Sequence, residues 1–363
     1  MTGSSRYQEV QEKVRTVQRV LGEGGAARLR GIDWFAWISA GGSSAVLLAA
    51  ETGIAEVVVT AQGGCVVTDE IEAARLMDEE LPVGFPVRPT PWAYPEAREA
   101  LVRELTQRCR VFSDRPVPGE EPLPEELLHA RWALVPGEVE RYREVGRQAA
   151  LAMTEVLNLA RPEWSELDLA GAGAQALLRR GLEPGLVMAA GERRLELYRH
   201  PMPTTAPLGR YAMLVFCARG FGLWANLTRF LSFGALPAAT LERHRLVQQV
   251  EARALEFSRP GARLRTVYRE LSKAYAALGH PEAIREHHQG GSTGYLSREV
   301  IATPDSCQTL AAASAVAWNP SLPGAKVEDT FLITESGLEN LTLDPAWPTV
   351  PVAGIPRPQV LER

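Results

Sequence analysis

A chain of 363 residues exceeds what a single core of roughly 250 residues sustains, so two domains are expected. With 45% hydrophobic and 23% charged residues the composition is that of a folded soluble protein, and a net charge of −5 excludes a general affinity for nucleic acid. No apolar run approaches the roughly 20 residues that cross a bilayer, and the polar start leads into an amphipathic segment, so no membrane partner and a cytoplasmic location are expected. Cys65, Cys109, Cys217 and Cys307 are far apart and form no C-x-x-C pair, which points to reduced thiols and to neither a disulfide framework nor a thiolate metal knuckle.

Val10, Val14, Val17 and Leu21 recur at helical spacing and predict an opening helix ending near Gly22. Apolar runs at Trp34 to Ile38, Ala45 to Leu48, Val57 to Val59 and Val66 to Val67 read as strands, Glu70 to Glu80 and Pro95 to Gln107 as helices, and Val111 to Phe112 as a further strand. The proline-rich stretch Pro116 to Pro124 reads as an extended connection, which places an α/β domain at 1–132 and a second domain at 133–363. In the second domain helices are expected at Gly137 to Leu157, Ser165 to Arg180, Leu236 to Phe257 and Ala262 to Leu278. Tyr211 to Ala218 and Leu223 to Phe233 read as a hairpin turned by Arg219-Gly220-Phe221-Gly222, and strands return at Ala311 to Trp318 and Val327 to Thr334.

Four stretches of this second half carry a resemblance when read together. They are Leu134-Val-Pro-Gly-Glu-Val-Glu-Arg-Tyr-Arg143, Leu214 to Phe230 with its Asn226-Leu-Thr-Arg229, His287-His-Gln-Gly-Gly-Ser-Thr-Gly294, and Ala317-Trp-Asn-Pro320 followed by Lys326-Val-Glu-Asp-Thr330. In order and spacing they resemble the superfamily of methionine aminopeptidase, prolidase, aminopeptidase P and creatinase. The resemblance implies an α+β chain: a creatinase-like α/β domain, then a pita-bread domain of curved antiparallel strands backed by helices. It also implies a homodimer, as is frequent among prolidase and creatinase relatives.

Peptidases of this superfamily hold two divalent metals with two Asp, one His and two Glu, because a shared hydroxide becomes a nucleophile at neutral pH. Carried over onto this sequence, those positions fall on Val215, Asn226, Gly291, Asn319 and Glu328. Only Glu328 keeps a carboxylate, so the expectation is no metal and no cofactor. The analogy with creatinase, which works without metal, instead assigns His200 as general acid or base, with Glu328 and Glu299 orienting a cationic substrate group. Asn226, Asn319, Trp224, Arg298, Tyr295 and His287 are the candidate substrate-binding residues.

Bland readings stand beside these. His200 packs at a strand edge, or acts. His287 and His288, adjacent in an extended chain, are expected to point to opposite sides and not to share a metal. Ser292 fits G-x-S-x-G but lacks the strand-turn-helix context of a nucleophile elbow. Trp318 should face away from Asn319, whereas Trp224 shares a strand face with Asn226. Two functions follow: a peptidase-related protein that binds, and hydrolyses without metal at a C–N bond, a small polar or peptide-like ligand; or a catalytically silent binding or assembly scaffold. A metal-dependent aminopeptidase is the third.

Overall fold

The computed structural model describes residues 3–363, and the chain separates into two compact units, Met1–Arg141 and Tyr142–Arg363. The division falls inside the long helix Pro136–Leu159. The first unit is a six-stranded sheet in the order Val87–Thr90, Gly63–Asp69, Thr52–Thr60, Gly25–Gly31, Arg110–Ser113 and Glu121–Pro122, with the opening helix Gly3–Leu21 and the helix Pro95–Leu105.

Two predicted strands of this unit are not strands. Trp34 to Ile38 lies in the helix Ile32–Ile38, every residue of which from Asp33 onward is buried. A helix enclosed on all sides shows the same unbroken apolar run as an enclosed strand, so pattern alone does not separate them. Its one acid, Asp33, is neutralised by Arg131 at 2.5 Å. Ala45 to Leu48 is an irregular segment in which Val46, Leu47 and Leu48 are 62%, 68% and 55% exposed. Conversely, Gly25–Gly31 forms a central strand, because its Arg28 and Arg30 are paired with Glu56, Glu99 and Glu120.

The second unit is built from two similar layers. In one, the strand Glu183–Gly191 and the hairpin Tyr211–Gly220 with Leu223–Ser232 form a sheet completed by Leu361–Glu362. Helices Pro136–Leu159 and Glu166–Leu178 cover it, packing Met153, Leu157, Leu169 and Leu177 on Leu214, Phe216 and Leu227. The hairpin reverses at Phe221 and Gly222, with φ of 52° and 77°, the pair of positive values that a tight two-residue turn between twisted strands requires. Ser165 caps the second helix and Asp168 bonds back to it, a reciprocal capping box.

In the other layer the sheet order is Val300–Ile301, Gly290–Thr293, Ala315–Trp318, Asp329–Thr334 and Gly337–Asn340. Helices Ala238–Phe257 and Leu264–Ala277 back it through Val250, Leu255, Val267 and Leu271 against Val316, Trp318 and Phe331. The backbone bridge of Thr228 with Glu328 ties the two sheets together, joined by the Trp224 N–H donating to the Gly294 carbonyl at 2.9 Å.

His244, on the helix Ala238–Phe257, is buried against Tyr211 and the Phe230 ring, and its Nε2 bonds the Tyr211 hydroxyl. Burial, helped by Arg243, lowers its pKa from 6.5 to about 3. Between those values the unfolded chain binds a proton that the folded chain refuses, so acid destabilises the fold at ~1.4 kcal/mol per pH unit. Urea unfolding of His244→Leu should lack about 2 kcal/mol of the stability that the parent loses between pH 6.5 and pH 5.

Candidate functional site

A cavity of about 390 Å³ opens in the second unit. One wall comes from cross-strand pairs, since Leu186 lies opposite Cys217 and Met188 opposite Val215, and directly opposed residues share a face. This wall is apolar. The others are mainly polar: His200, with the apolar Met202, from the segment after the edge strand Glu183–Gly191, then His288, Ser297, Arg298, Asn319, Lys326 and Glu328.

Glu328 sits at the centre of the polar wall and is 1% exposed. Its Oε1 accepts from Arg298 Nη2 at 2.6 Å, and its Oε2 meets Lys326 Nζ at 3.0 Å and accepts from the Thr228 hydroxyl at 2.9 Å. Burial alone would raise this carboxyl, but Lys326 and Arg298 outweigh it and hold the pKa at about 2. The acid is therefore ionised at any ordinary pH and already neutralised twice over.

The histidines are uncharged. Burial first, and then Lys326, brings His287 down to about 2, while burial, Arg298 and Lys326 bring His288 down to about 4. His200, exposed at the cavity edge, is lowered in the same direction by desolvation and Lys326. His200 Nε2 and His287 Nε2 are 2.8 Å apart. The His287 and His288 rings stack at 4.5 Å, contrary to the expectation that neighbours in an extended chain diverge. Backbone alternation fixes only the direction of Cβ, and here the rings beyond it turn towards each other, with His288 Nδ1 accepting from the Gly290 N–H at 3.3 Å.

The remaining predicted site residues fall in three places. Asn319 lines the cavity, and its Oδ1 is buried without a partner among the described residues. Asn226 shares the sheet face of Cys217, which it opposes, but is outside the cavity lining, with Nδ2 donating to Thr293 Oγ1 at 3.1 Å and Oδ1 buried without a partner among the described residues. Tyr295 and Glu299 are outside the cavity lining. Glu299 Oε1 accepts the N–H groups of Tyr295 and Leu296 at 2.9 and 3.2 Å, bracing the turn that presents Ser297 and Arg298. Trp224 keeps the strand face of Asn226 but lies beyond the cavity, over Gly185 and against Arg219. Trp318 turns the other way into the core, where Nε1 donates to Ser258 Oγ at 2.9 Å. Ser292 Oγ donates to Gln308 at 2.6 Å, and no helix follows its strand.

Lys326, Leu186 and Met188 are site residues that sequence reasoning did not single out, and His288 was weighed only as one of two adjacent histidines expected to diverge. For Lys326 the signal was available, because residues two apart in an extended segment share a face, and Glu328 was already marked. The strand that carries Leu186 and Met188 opens with Glu183-Pro-Gly185, which masks its character.

Two helix-backed sheets enclosing one cavity define the pita-bread fold of the prolidase type. The model of metallopeptidase family M24 matches residues 140–335, and the chain belongs to that family. Among solved structures it is similar to the Xaa-Pro dipeptidase from Bacillus anthracis, with 15% identity and a TM-score of 0.77 over 98% of this chain and 100% of that one. It is similar to a prolidase from Thermococcus sibiricus, with 12% identity and a TM-score of 0.78 over 99% of each chain. The N-terminal domain of FACT complex subunit SPT16 from Cicer arietinum also matches, with 11% identity and a TM-score of 0.69 over 93% of this chain and 96% of that one. A comparison with curated protein sequences gives no match.

Proposed function

We propose that this cavity binds a small anionic ligand, a carboxylate with an apolar portion, and works without the family's two-metal centre. The observation that carries the reading is the clamp on Glu328: an ammonium and a guanidinium occupy the two oxygens that would face metal ions. The other positions do not fit such a centre either. Val215 has no donor atom, Gly291 has no side chain, and Asn226 and Asn319 offer neutral amides where dications need anionic oxygen.

With the histidines neutral, Arg298, Lys326 and Glu328 leave the cavity one positive charge in excess, which favours an anion. A cationic substrate group, the expectation from creatinase, would have to displace two cations from Glu328. The unpaired Oδ1 of Asn319 is placed to accept an N–H from the ligand, and Leu186, Met188 and Val215 supply an apolar floor. These features suit a peptide-like acid.

His200, neutral and at the cavity edge, is the group that would take a proton from water in a metal-independent C–N hydrolysis. A silent binding role is the second reading, supported by the fold likeness to the N-terminal domain of a FACT complex subunit.

Calorimetric titration with N-acyl amino acids and proline-containing dipeptides tests binding. Arg298→Met should weaken it by about 2 kcal/mol or more, the cost of losing a desolvated charge partner, and binding indifferent to Arg298→Met and Lys326→Met would overturn the reading. Turnover of the same dipeptides with chelator present, lost in His200→Ala, would establish hydrolysis over the silent role.

A further inference from the structure

We propose that His200, His287 and His288 form a binding site for one transition-metal ion of the zinc, nickel or copper class, at the cavity edge and distinct from the family's two-metal position. Each histidine offers one ring nitrogen, and the three nitrogens lie within 4.8 Å of one another. The ring centroids are 4.5 Å apart for His200 with His287, 5.7 Å for His200 with His288 and 4.5 Å for His287 with His288. Three imidazoles that gather from two separated segments, Tyr198 to Pro201 and the stretch before Gly290, make a compact all-nitrogen donor set.

The donor type decides the class of ion. Imidazole suits zinc, copper and nickel, whereas magnesium, calcium and manganese want carboxylate and carbonyl oxygen, and the cluster holds no carboxylate. Metal-binding imidazoles must be unprotonated, and burial together with Lys326 keeps these so. His287 Nδ1 is buried with no partner among the described residues, so coordination through Nε2 leaves the Nδ1–H without the acceptor that usually orients a ligating ring, which is a further cost to affinity. His200 and His288 both line the cavity while His287 is buried behind them, which leaves the open coordination position facing the ligand space. Three histidines with one open position is a donor set that zinc accepts, and an ion held there occupies the His200 nitrogen, so metal binding and the metal-independent use of His200 as a base exclude each other.

Charge sets the strength. Lys326 and Arg298 repel a dication here, and Glu328 offsets only one of them. The site should therefore bind more weakly than one backed by carboxylates, should tighten when a carboxylate ligand is present, and should tighten in Lys326→Met.

The test uses the full chain, stripped with chelator, dialysed, and titrated with Zn²⁺ by calorimetry and with Co²⁺ by visible absorption. One equivalent is expected, with the intense bands of low-coordinate cobalt. In His200→Ala and His288→Ala the affinity should drop by at least the roughly 10–100-fold that loss of an outer-shell partner costs, and Zn²⁺ should raise the melting temperature of the parent but not of these variants. Absence of saturable binding, or affinity unmoved by both histidine substitutions, would overturn the site. Two ions per chain, abolished by Glu328→Gln and indifferent to the histidines, would overturn it too and would restore the family's two-metal centre instead.

Discussion

Arg357→Met lowers the stability of the second unit by about 3–5 kcal/mol. Arg357 is fully buried, and its guanidinium spans two acids, meeting Glu251 at 2.6 and 2.7 Å and Asp329 at 2.8 Å. Asp329 is held on its other side by Arg229 at 2.7 Å and by the Thr342 hydroxyl at 2.6 Å. Removing Arg357 strands Glu251 without a counter-charge in a site that water does not reach. A loss of this size is about a fifth or more of the net stability of an ordinary domain, and it appears as a lowered urea midpoint with an unchanged slope. The double variant Arg357→Met with Glu251→Leu should recover much of the loss, because both stranded charges go together. If the double variant is no more stable than the single, the pair is not what holds this region.

Gly290→Ala is expected to cost about 2–6 kcal/mol, the sum of backbone strain and overpacking. Gly290 has φ of 94°, a value that side chains of L-residues avoid, and an added Cβ would press on the Ala317 carbonyl and come within 2.9 Å of Trp318 Cα. Neither obstacle is a flexible side-chain end that can move aside. Gly234→Ala is the control, since its φ of 93° is similar but nothing lies within 4 Å, so it carries the strain of ~1–2 kcal/mol alone. Because the Gly290 N–H meets His288 Nδ1, the alanine should also loosen the histidine cluster, read as weaker cobalt binding in whatever fraction stays folded.

The second unit was legible in the sequence because its local and long-range signals agree. The Phe221-Gly222 turn, the Ser165 and Asp168 cap and the amphipathic helices each point to the element that forms. Legibility failed where tertiary partners override local pattern. Gly25–Gly31 carries two arginines that look wrong for a central strand until Glu56, Glu99 and Glu120 are brought to them from elsewhere in the chain. Trp34 to Ile38 looked like a strand because enclosure on every side erased the polar stripe of a helix.

The site follows the same division. Motif alignment led to Glu328, Asn319, Arg298 and His200, all of which line the cavity. It read Glu328 as a free carboxylate, because nothing in an alignment says which cation will sit on it. The convergence of His288 with His287 and His200 depends on side-chain rotation, which residue spacing does not encode.

A metal ion dissociates, competes with other ions and varies with its supply. The charges that Lys326 and Arg298 place on Glu328 are tethered to the chain by covalent bonds and are inherited with the gene. Starvation for trace elements, or exposure to sequestering agents, leaves that neutralisation untouched, so the electrostatic character of the central acid is a constant of the polypeptide and not of its surroundings.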